Sequence, residues 1–457
     1  MMGQERDYDV VVIGSGGGSY IAGKAAHTGH SVALIERGPI GGTCPNTGCI
    51  PSKMIFYPAE VATLIREAEK VGIHAEITGI NFDRIFERMR RDRERRRDIA
   101  REWTVQTDNL DFYETEARFV GERTLQAGDA TLRGEKVFIA TGARPAVPPI
   151  EGLDAVDYLT NETALELSAL PESIIIVGGG YVAIGYAHFF SSLGTASTVL
   201  QRNVRILPEE EPWLTERLTA ALSSRARICT GIEVASVEAA NGGVLVRGRD
   251  RSRGEEREFS AEHLMIATGR RSNADTLDLP RAGIETDAHG FVATNPYLET
   301  SAEGVWAIGD ANGKGMFRHA ANREARLAWH NATRADKIAM DYRAVPHAVF
   351  CYPPVASVGL VEEEARQSRD IRVGRAAYMD TAKGIAMAEE TGMASLIVDA
   401  ATDEVLGFHI VGPGAPEIIQ EVVNVIARSG TWHELETLHI HPALSEVVQR
   451  TVEHLEE

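Results

Sequence analysis

The sequence has 457 residues, of which 44% are hydrophobic and 25% charged, a balance typical of a globular protein with several cores. Acidic residues outnumber basic ones 66 to 47, which argues against a nucleic-acid partner because phosphate binding favours a basic face. No apolar run reaches the ~18–20 residues that cross a bilayer, and the N-terminus lacks a signal-like pattern. We therefore expect a cytoplasmic protein with no membrane partner.

The first part of the chain predicts a dinucleotide-binding unit. A strand over 8–13 leads into a turn containing Gly14 and Gly16, and a helix then extends to about residue 28. A second strand over 31–35 ends at Glu36. In this pattern the glycines let the backbone approach a pyrophosphate at the helix N-terminus, and the acid accepts hydrogen bonds from ribose hydroxyls.

The same pattern occurs a second time. A strand over 173–177 leads into Gly178 and Gly180, followed by a helix and a strand over 196–200. Two further segments, 136–142 and 263–270, match each other and carry the sequence Ala-Thr-Gly after a strand. One glycine-rich turn is weak evidence, but two in a full strand–turn–helix–strand context indicate two nucleotide-binding domains.

Between the first glycine turn and the first long helix, the segment GGTCPNTGCIPSK contains Cys44 and Cys49. Cysteines with this spacing at the start of a helix can close a disulfide, and the helix N-terminus stabilises a thiolate. Disulfide exchange needs one sulfur to attack and a second to resolve the mixed disulfide. A metal pair is the alternative, but it requires two more ligands nearby, and the sequence has no CxxC pair to supply them.

Near the C-terminus, the segment HIHPALSE places Glu446 five residues after His441 at a predicted helix start. A carboxylate can hold an imidazole in one tautomer, which is the base-and-orienter arrangement that thiol chemistry uses. Taken alone, a histidine pair is more often structural. The catalytic interpretation is favoured only together with the cysteine pair.

Taken in order, these motifs and the segment TSAEGVWAIGD resemble the pyridine nucleotide-disulfide oxidoreductase family, the class I flavoprotein disulfide reductases. Among its members the likeness is greatest to dihydrolipoyl dehydrogenase and mycothione reductase. The resemblance implies an α/β fold with two Rossmann-like domains, for FAD and NAD(P), and a C-terminal α+β dimerisation domain. The domain boundaries that we predict are 1–147 and 273–342 for the FAD-binding domain, 148–272 for the NAD(P)-binding domain and 343–457 for the dimerisation domain.

The resemblance also implies a role for each matching residue. Cys49 would face the flavin as the charge-transfer thiolate, Cys44 would exchange with substrate, and His441, oriented by Glu446, would be the acid–base of the partner subunit's site in a homodimer. The residues implied for FAD are Gly14, Gly16, Glu36, Thr43, Lys53, Ala117, Thr141, Gly142 and Asp310, and Lys53 is also implied in catalysis. Those implied for the nicotinamide nucleotide are Gly178, Gly180, Tyr181, Val182, Gln201, Arg202 and Gly269, with Tyr181 covering the nicotinamide pocket.

The sequence departs from the family pattern at Gly185, where the family has a glutamate that pairs with the lysine beside the flavin. Lys53 would then lack that partner, which motivates a rival interpretation as a flavin-bound redox sensor or assembly subunit with little turnover. At the end of the second fingerprint, Gln201 is followed by Arg202. At this position an acid favours NADH, whereas an arginine accommodates the 2′-phosphate of NADPH, so the sequence favours NADPH. The acidic run 209–211 lies close by and would favour NADH.

The substrate stays open between dihydrolipoamide and a low-molecular-weight disulfide. A mercuric reductase is less favoured because no cysteine follows Cys351. The segment from Arg84 to Arg101 holds nine arginines and four acids in a helical pattern. A solvated helix with i,i+4 pairs is the favoured interpretation, and a docking stripe for an acidic lipoyl carrier is the alternative.

Overall fold

The computed structural model describes residues 5–240 and 242–455. Its contacts divide the chain into two compact units. The first unit comprises the described parts of Met1–Ser52, Glu87–Ala146 and Arg270–Tyr342, and the second comprises those of Lys53–Phe86, Val147–Gly269 and Arg343–Glu457. Helices α3 (Cys49–Glu67) and α4 (Phe82–Gln106) have residues in both.

The first unit is built on a seven-stranded sheet in the order β3-β2-β1-β6-β5-β4, with β16 added on β6. Its strands are β1 (Glu5–Ile13), β2 (Val32–Glu36), β3 (Leu110–Glu114), β4 (Ala117–Gly121), β5 (Thr124–Ala127), β6 (Ala130–Ile139) and β16 (Val305–Ala307), and β7 (Ala143–Pro145) pairs with β15 (Arg270–Ser272) separately. Its helices are α1 (Gly18–His27), α2 (Thr43–Asn46) and α7 (Arg318–Thr333).

Strand β1 lies in the middle of this sheet, parallel to both β2 and β6. Its register sets Val10 beside Val32 and Val12 beside Leu34, and all four side chains are buried. A continuous β-branched run covered on both faces is what a central parallel strand requires. The carboxyl ends of β1 and β2 therefore meet at one sheet edge, which brings the residues after Ile13 next to Glu36.

The second unit contains a parallel sheet in the order β10-β9-β8-β14 and an antiparallel three-stranded sheet β11-β12-β13. The strands are β8 (Ser173–Val177), β9 (Ala196–Gln201), β10 (Arg227–Thr230), β11 (Ile232–Ala240), β12 (Gly243–Asp250), β13 (Glu256–Ala261) and β14 (His263–Ile266). The helices over this stretch are α5 (Tyr181–Ser192) and α6 (Pro212–Ser223). Helix α5 begins directly after the second glycine turn, as the sequence predicts.

The same unit includes a five-stranded antiparallel sheet in the order β17-β18-β21-β20-β19. Its strands are β17 (His347–Val349), β18 (Val355–Gly359), β19 (Ile371–Ala377), β20 (Met393–Asp399) and β21 (Val405–Val411). The helices are α8 (Glu362–Ser368), α9 (Ala382–Met387), α10 (Ala415–Ile418), α11 (Gln420–Ile426) and α12 (Glu446–Glu453). The predicted α/β fold with a C-terminal α+β module is thus confirmed.

Candidate active site

The first glycine turn can be made only without side chains. Gly14 has φ +101°, and a Cβ there would lie 2.3 Å from the carbonyl oxygen of Ala140. Gly42 has φ +69°, and a Cβ on it would lie 2.7 Å from the Cα of Gly16. The loop that follows β2 therefore packs directly on the turn that precedes α1. Backbone atoms, not side chains, surround the N-terminus of this helix.

Ser15, which the sequence analysis did not single out, organises this edge. Glu36 Oε2 accepts hydrogen bonds from the Ser15 backbone N–H at 2.9 Å and from its hydroxyl at 2.7 Å. The same hydroxyl accepts from the Gly41 N–H at 2.8 Å, and Glu36 Oε1 accepts from the Gly38 N–H at 2.9 Å. Glu36 is thus fixed before any ligand binds. The position of Ser15 between Gly14 and Gly16 was the sequence signal that could have identified it.

A cavity opens beside Glu36 at the carboxyl ends of β1 and β2. Its walls include Gly14, Glu36, Ala117 and Thr141 from the predicted set. The Thr141 hydroxyl is buried and has no hydrogen-bond partner among the described residues, while its carbonyl accepts from the Asn273 side chain at 2.9 Å. A cavity with a fixed carboxylate and an unsatisfied hydroxyl fits the adenosine part of a dinucleotide. Gly142 follows this threonine with φ +67°.

Asp310 lies in a short 3-10 turn, Gly309–Ala311, directly after β16. Its Oδ2 is 3.2 Å from Arg270 Nε. Burial raises the pKa of Asp310, and the Arg270 charge partly offsets that rise. Glu324, a fully buried carboxylate, fixes this turn. It accepts hydrogen bonds from the Gly309 N–H and, at 2.6 Å, from the Tyr342 hydroxyl. Sequence inspection did not reveal Glu324, because it lies within a helix rich in polar residues.

The two cysteines lie on two helices rather than at the start of one. Cys44 belongs to α2, which Thr43 begins, and Cys49 is the first residue of α3. Cys44 is half-buried and Cys49 is exposed. The loop is anchored by Asn46, whose amide donates to the carbonyls of residues 39, 40 and 42. Cys49 thus lies at the N-terminus of a 19-residue helix.

In the second unit, Lys53 and Gly185 lie close to the same aromatic side chain. A Cβ on Gly185 would lie 2.7 Å from the ring of Phe56. The Lys53 ammonium lies 5.8 Å from the centroid of that ring and 4.1 Å from that of Phe350. The space where a residue 185 side chain would extend is therefore filled by an aromatic ring.

The second glycine turn repeats the geometry of the first but not its acid. Gly178 has φ +123°, and a Cβ there would lie 2.2 Å from the Ala267 carbonyl oxygen. The side chain at the end of β9 is Gln201, which is buried against Gly179 and donates to the Arg205 carbonyl at 3.3 Å. The remaining predicted nucleotide residues lie around this turn: Gly180 caps α5, Val182 is half-buried in it, Arg202 is exposed and Gly269 has open space above it.

Tyr181, the first residue of α5, is held by a buried acid. Its hydroxyl donates to Glu210 Oε1 at 3.0 Å, and its ring contacts His347 edge to face. Glu210 also bonds His347 Nε2 at 2.7 Å and the Ser357 hydroxyl at 2.6 Å. Burial alone raises the pKa of Glu210, but His347 and Ser357 bring it down to about 2. Sequence analysis missed Glu210 because an acidic run is usually solvated.

His441 and Glu446 form the predicted pair. The Nδ1 atom of His441 lies 2.8 Å from Glu446 Oε1, and Glu446 Oε2 accepts from the Ala443 N–H at 3.0 Å. The His441 bond lowers the pKa of Glu446. The imidazole is otherwise exposed, and so are the neighbouring Leu438 and Ile440, at 100% and 79%. The pair therefore lies on a surface that also exposes two large apolar side chains.

Comparison with known proteins decides the family. The profile described as "Pyridine nucleotide-disulphide oxidoreductase" matches residues 8–325, and the one for the dimerisation domain of that family matches residues 345–452. The chain belongs to the pyridine nucleotide-disulphide oxidoreductase family. Family membership implies FAD and a nicotinamide nucleotide as cofactors, and the matched dimerisation domain supports a homodimer.

Relatives of this oxidoreductase cover nearly its whole length. The mycothione reductase of Mycobacterium tuberculosis is 36% identical over 97% of this chain and 98% of its own. The dihydrolipoyl dehydrogenase of Bacillus subtilis is 29% identical, covering 97% and 96%. Among solved structures, the HOCl-induced flavoprotein disulfide reductase RclA from Escherichia coli superposes with a TM-score of 0.86 at 28% identity, covering 97% and 98%. Over residues 5–240 and 242–455, no helix combines the length and apolar character needed to span a membrane.

Proposed function

We propose that this oxidoreductase uses NADPH to reduce a low-molecular-weight disulfide through FAD and the Cys44–Cys49 pair. The observation that carries the proposal is the cysteine loop, in which one sulfur is half-buried on α2 and the other is exposed at the N-terminus of α3. Bound FAD supplies the transfer of two electrons from the nicotinamide to the cysteine pair. Gly14, Glu36, Thr141 and Asp310 are the residues that we expect to hold it.

The thiol chemistry is carried by side chains of this chain. The Cys44 thiolate attacks one sulfur of the substrate disulfide, which forms a mixed disulfide and releases the first thiolate. The Cys49 thiolate then attacks the Cys44 sulfur, which closes the protein disulfide and releases the second thiolate. Two electrons from the nicotinamide reopen the pair, so one disulfide becomes two thiols for each nucleotide oxidised.

Protonation of the leaving thiolates is the role that we propose for His441. Glu446 accepts from Nδ1, which leaves Nε2 as the atom that gives and takes the proton. Because the pKa of Glu446 is lowered, this carboxylate stays ionised below the pH range of ordinary glutamates. In the proposed homodimer, His441 serves the cysteine pair of the other chain. Mixing inactive Cys44→Ser and His441→Gln chains should therefore regain activity, and no gain at all would contradict sharing.

The choice of NADPH over NADH is supported by the charges around β9. Arg202 is exposed just past the end of the strand, where a 2′-phosphate is accommodated. Of the acidic run 209–211, Glu210 and Glu211 are buried, and both accept hydrogen bonds from within the protein. Only Glu209 is exposed to oppose Arg202. Arg202→Ala should raise the KM for NADPH about tenfold and leave that for NADH unchanged. Equal changes with both nucleotides would contradict this preference.

Dihydrolipoamide is the second candidate substrate, and one observation favours it. Arg84, Arg88, Arg91 and Arg95 are all exposed on α4, and their spacing sets them on one helix face. Such a stripe suits an acidic lipoyl carrier. Reversing three of these arginines to glutamate should weaken turnover with carrier-bound lipoyl groups and spare turnover with free lipoamide. Equal effects on both substrates would exclude a docking role.

The experiment that tests the proposed function is an anaerobic titration of the purified protein with NADPH and then NADH, followed through the flavin spectrum. We expect reduction by NADPH and a long-wavelength band after two electrons, which Cys49→Ser should abolish while Cys229→Ser, a buried cysteine elsewhere, keeps it. A panel of mycothione, other small disulfides and lipoamide then ranks the substrates. Reduction by dihydrolipoamide alone would overturn the proposal in favour of a thiol-to-flavin module, consistent with the redox-sensor alternative.

A further inference from the structure

Gly185 lies in α5 where it has no room for a side chain. The nearest atoms to a Cβ at this position would be Phe56 Cε2 at 2.7 Å, Phe56 Cζ at 3.1 Å and the Phe350 carbonyl oxygen at 3.5 Å. Contacts under 3.0 Å do not occur for real Cβ atoms, so the ring or the helix would have to shift. The absence of a side chain at residue 185 therefore makes room for the Phe56 ring.

The Phe56 ring has little freedom to move away. It is buried and packs edge to face on Tyr186, with centroids 5.3 Å apart, and it also contacts Phe189 at 6.2 Å. Both partners are on α5, the helix of Gly185, and both are fully or almost fully buried. Close packing of this kind resists displacement, because any shift must be passed on to neighbours that are themselves confined.

The Lys53 ammonium lies near the Phe56 ring and nearer still to the ring of Phe350, which is 40% exposed. Nζ lies 4.1 Å from the ring centroid of Phe350 and 5.8 Å from that of Phe56. Both distances are within the ~6 Å over which the face of an aromatic ring attracts a cation. Phe56 thus packs against Gly185 and also lies within cation–π distance of Lys53.

We infer that Phe350 and Phe56 are positioning residues that help to hold Lys53 by cation–π contact. This inference rests on the proposed function and on the family pattern, which implies that Lys53 acts beside the FAD. The rings are neutral, so they orient the ammonium without bringing a negative charge to it. A carboxylate at residue 185 would orient it too, but it would add one negative charge beside Lys53.

The experiment compares the holoenzyme with Phe350→Leu, Gly185→Glu and the double variant Phe56→Leu/Gly185→Glu. The matched control is Phe259→Leu, because Phe259 contacts Arg227 and Arg257 at 5.3 and 5.4 Å in another sheet of the same unit. Three readouts are taken: acylation of Lys53 by an amine reagent, the flavin midpoint potential, and the rate of flavin reduction against the KM for NADPH. Lys53 is one of seven lysines, so its labelling is easily resolved by mass spectrometry.

For Phe350→Leu we expect severalfold faster acylation of Lys53 and about tenfold slower flavin reduction with an unchanged KM for NADPH. Phe259→Leu should change none of these. Gly185→Glu alone should lower the thermal midpoint, because its Cβ meets the Phe56 ring. The double variant should fold normally and show a lower flavin midpoint potential, since leucine makes room for the new carboxylate beside Lys53.

Unchanged acylation and potential in Phe350→Leu would overturn the inference, and so would a faster, normally stable Gly185→Glu enzyme. The latter would also support the low-turnover redox sensor. If neither nucleotide reduces the wild-type flavin, the proposed function fails, and acylation of Lys53 in Phe350→Leu still decides whether the rings hold the ammonium. The two failures are therefore distinguishable.

Discussion

The two glycine turns share one backbone geometry and differ in what surrounds it. Gly14 and Gly178 have φ of +101° and +123°, and each would carry a Cβ within 2.3 Å of a carbonyl oxygen. After the first turn, Glu36 is fixed by hydrogen bonds from Ser15. After the second, the equivalent strand ends in Gln201, and the first residue of the helix is tied to a buried acid.

Under the proposed function, this difference suits the two turns to two kinds of ligand. A preformed carboxylate suits a cofactor that stays bound, because the acceptor loses no freedom when the ligand arrives. A tyrosine that is hydrogen-bonded across the second site suits a nucleotide that enters and leaves, because an existing contact must open first. The predictions below test this contrast, in order of decreasing effect.

Gly14→Ala and Gly178→Ala form the sharpest test, because their local strain is nearly the same. Each should destabilise its turn by about 3 kcal/mol or more, since a left-handed conformation and a carbonyl contact both oppose a side chain. Gly14→Ala should give a colourless protein without FAD. Gly178→Ala should stay yellow and no longer be reduced by NADPH. Flavin absorbance after purification and anaerobic titration measure the two outcomes, and loss of flavin from both variants would break the contrast.

Glu36→Ala and Gln201→Ala compare the two strand ends. Removing Glu36 takes away the acceptor for Ser15 and for the cofactor, so FAD affinity should fall about 10- to 100-fold. Removing Gln201 should leave FAD affinity unchanged and alter only nucleotide binding. Equilibrium dialysis of FAD with each variant measures this. A Gln201→Ala protein that loses FAD as readily as Glu36→Ala would show that the two sites are not independent.

Glu210→Gln tests the buried acid behind Tyr181. The folded-state pKa of about 2 is below the ordinary value of 4.5, so the ionised carboxylate stabilises the fold above pH 4.5. That contribution, on the order of 3 kcal/mol, is lost as the pH falls from about 4.5 to about 2. Urea unfolding at several pH values should show wild type exceeding Glu210→Gln at pH 7, with the gap closing in acid. The exposed Glu209→Gln is the control, and a gap independent of pH would refute the prediction.

Tyr181→Phe has the smallest expected effect. It keeps the ring but removes the 3.0 Å bond to Glu210, so displacing the ring costs less. The Kd for NADPH should therefore fall about fivefold, in line with the loss of one hydrogen bond. Fluorescence titration measures it. Tyr378→Phe, which removes a buried hydroxyl bond to the Pro413 carbonyl, is the matched control. Weaker NADPH binding to Tyr181→Phe would argue against a restraining bond.

Much of the site could be predicted from local sequence. The two glycine turns, Glu36 and the His441–Glu446 pair each depend on residues close together in the chain, where spacing and hydrogen-bonding partners can be worked out directly. The conformation of the cysteine loop was predicted less well. The sequence indicated one helix start for both cysteines, but helix α2 ends before Cys49 and a second helix, α3, begins there. Asn46 ends helix α2, and its side-chain amide donates hydrogen bonds to three backbone carbonyls of residues 39–42.

The residues that sequence analysis missed share one property, which is that their partners are far away in the chain. Glu210 looks like part of a solvated acidic run until β17 and β18 bring His347 and Ser357 onto it. Glu324 likewise has the pattern of a surface helix until Gly309 and Tyr342 contact it. Burial converts an ordinary carboxylate into a fixed structural element, and a local pattern carries no information about that burial.

The family and the two glycine turns with their strand–helix context followed from the sequence alone, because each depends on short motifs whose spacing the backbone imposes. The meaning of Gly185 came only from the folded chain. From its neighbours in sequence, it is a missing acid beside Lys53. In three dimensions Phe56 fills that space, and the lysine lies over the rings of Phe56 and Phe350. Packing between segments distant in the chain settles such questions, since side chains there compete for one volume.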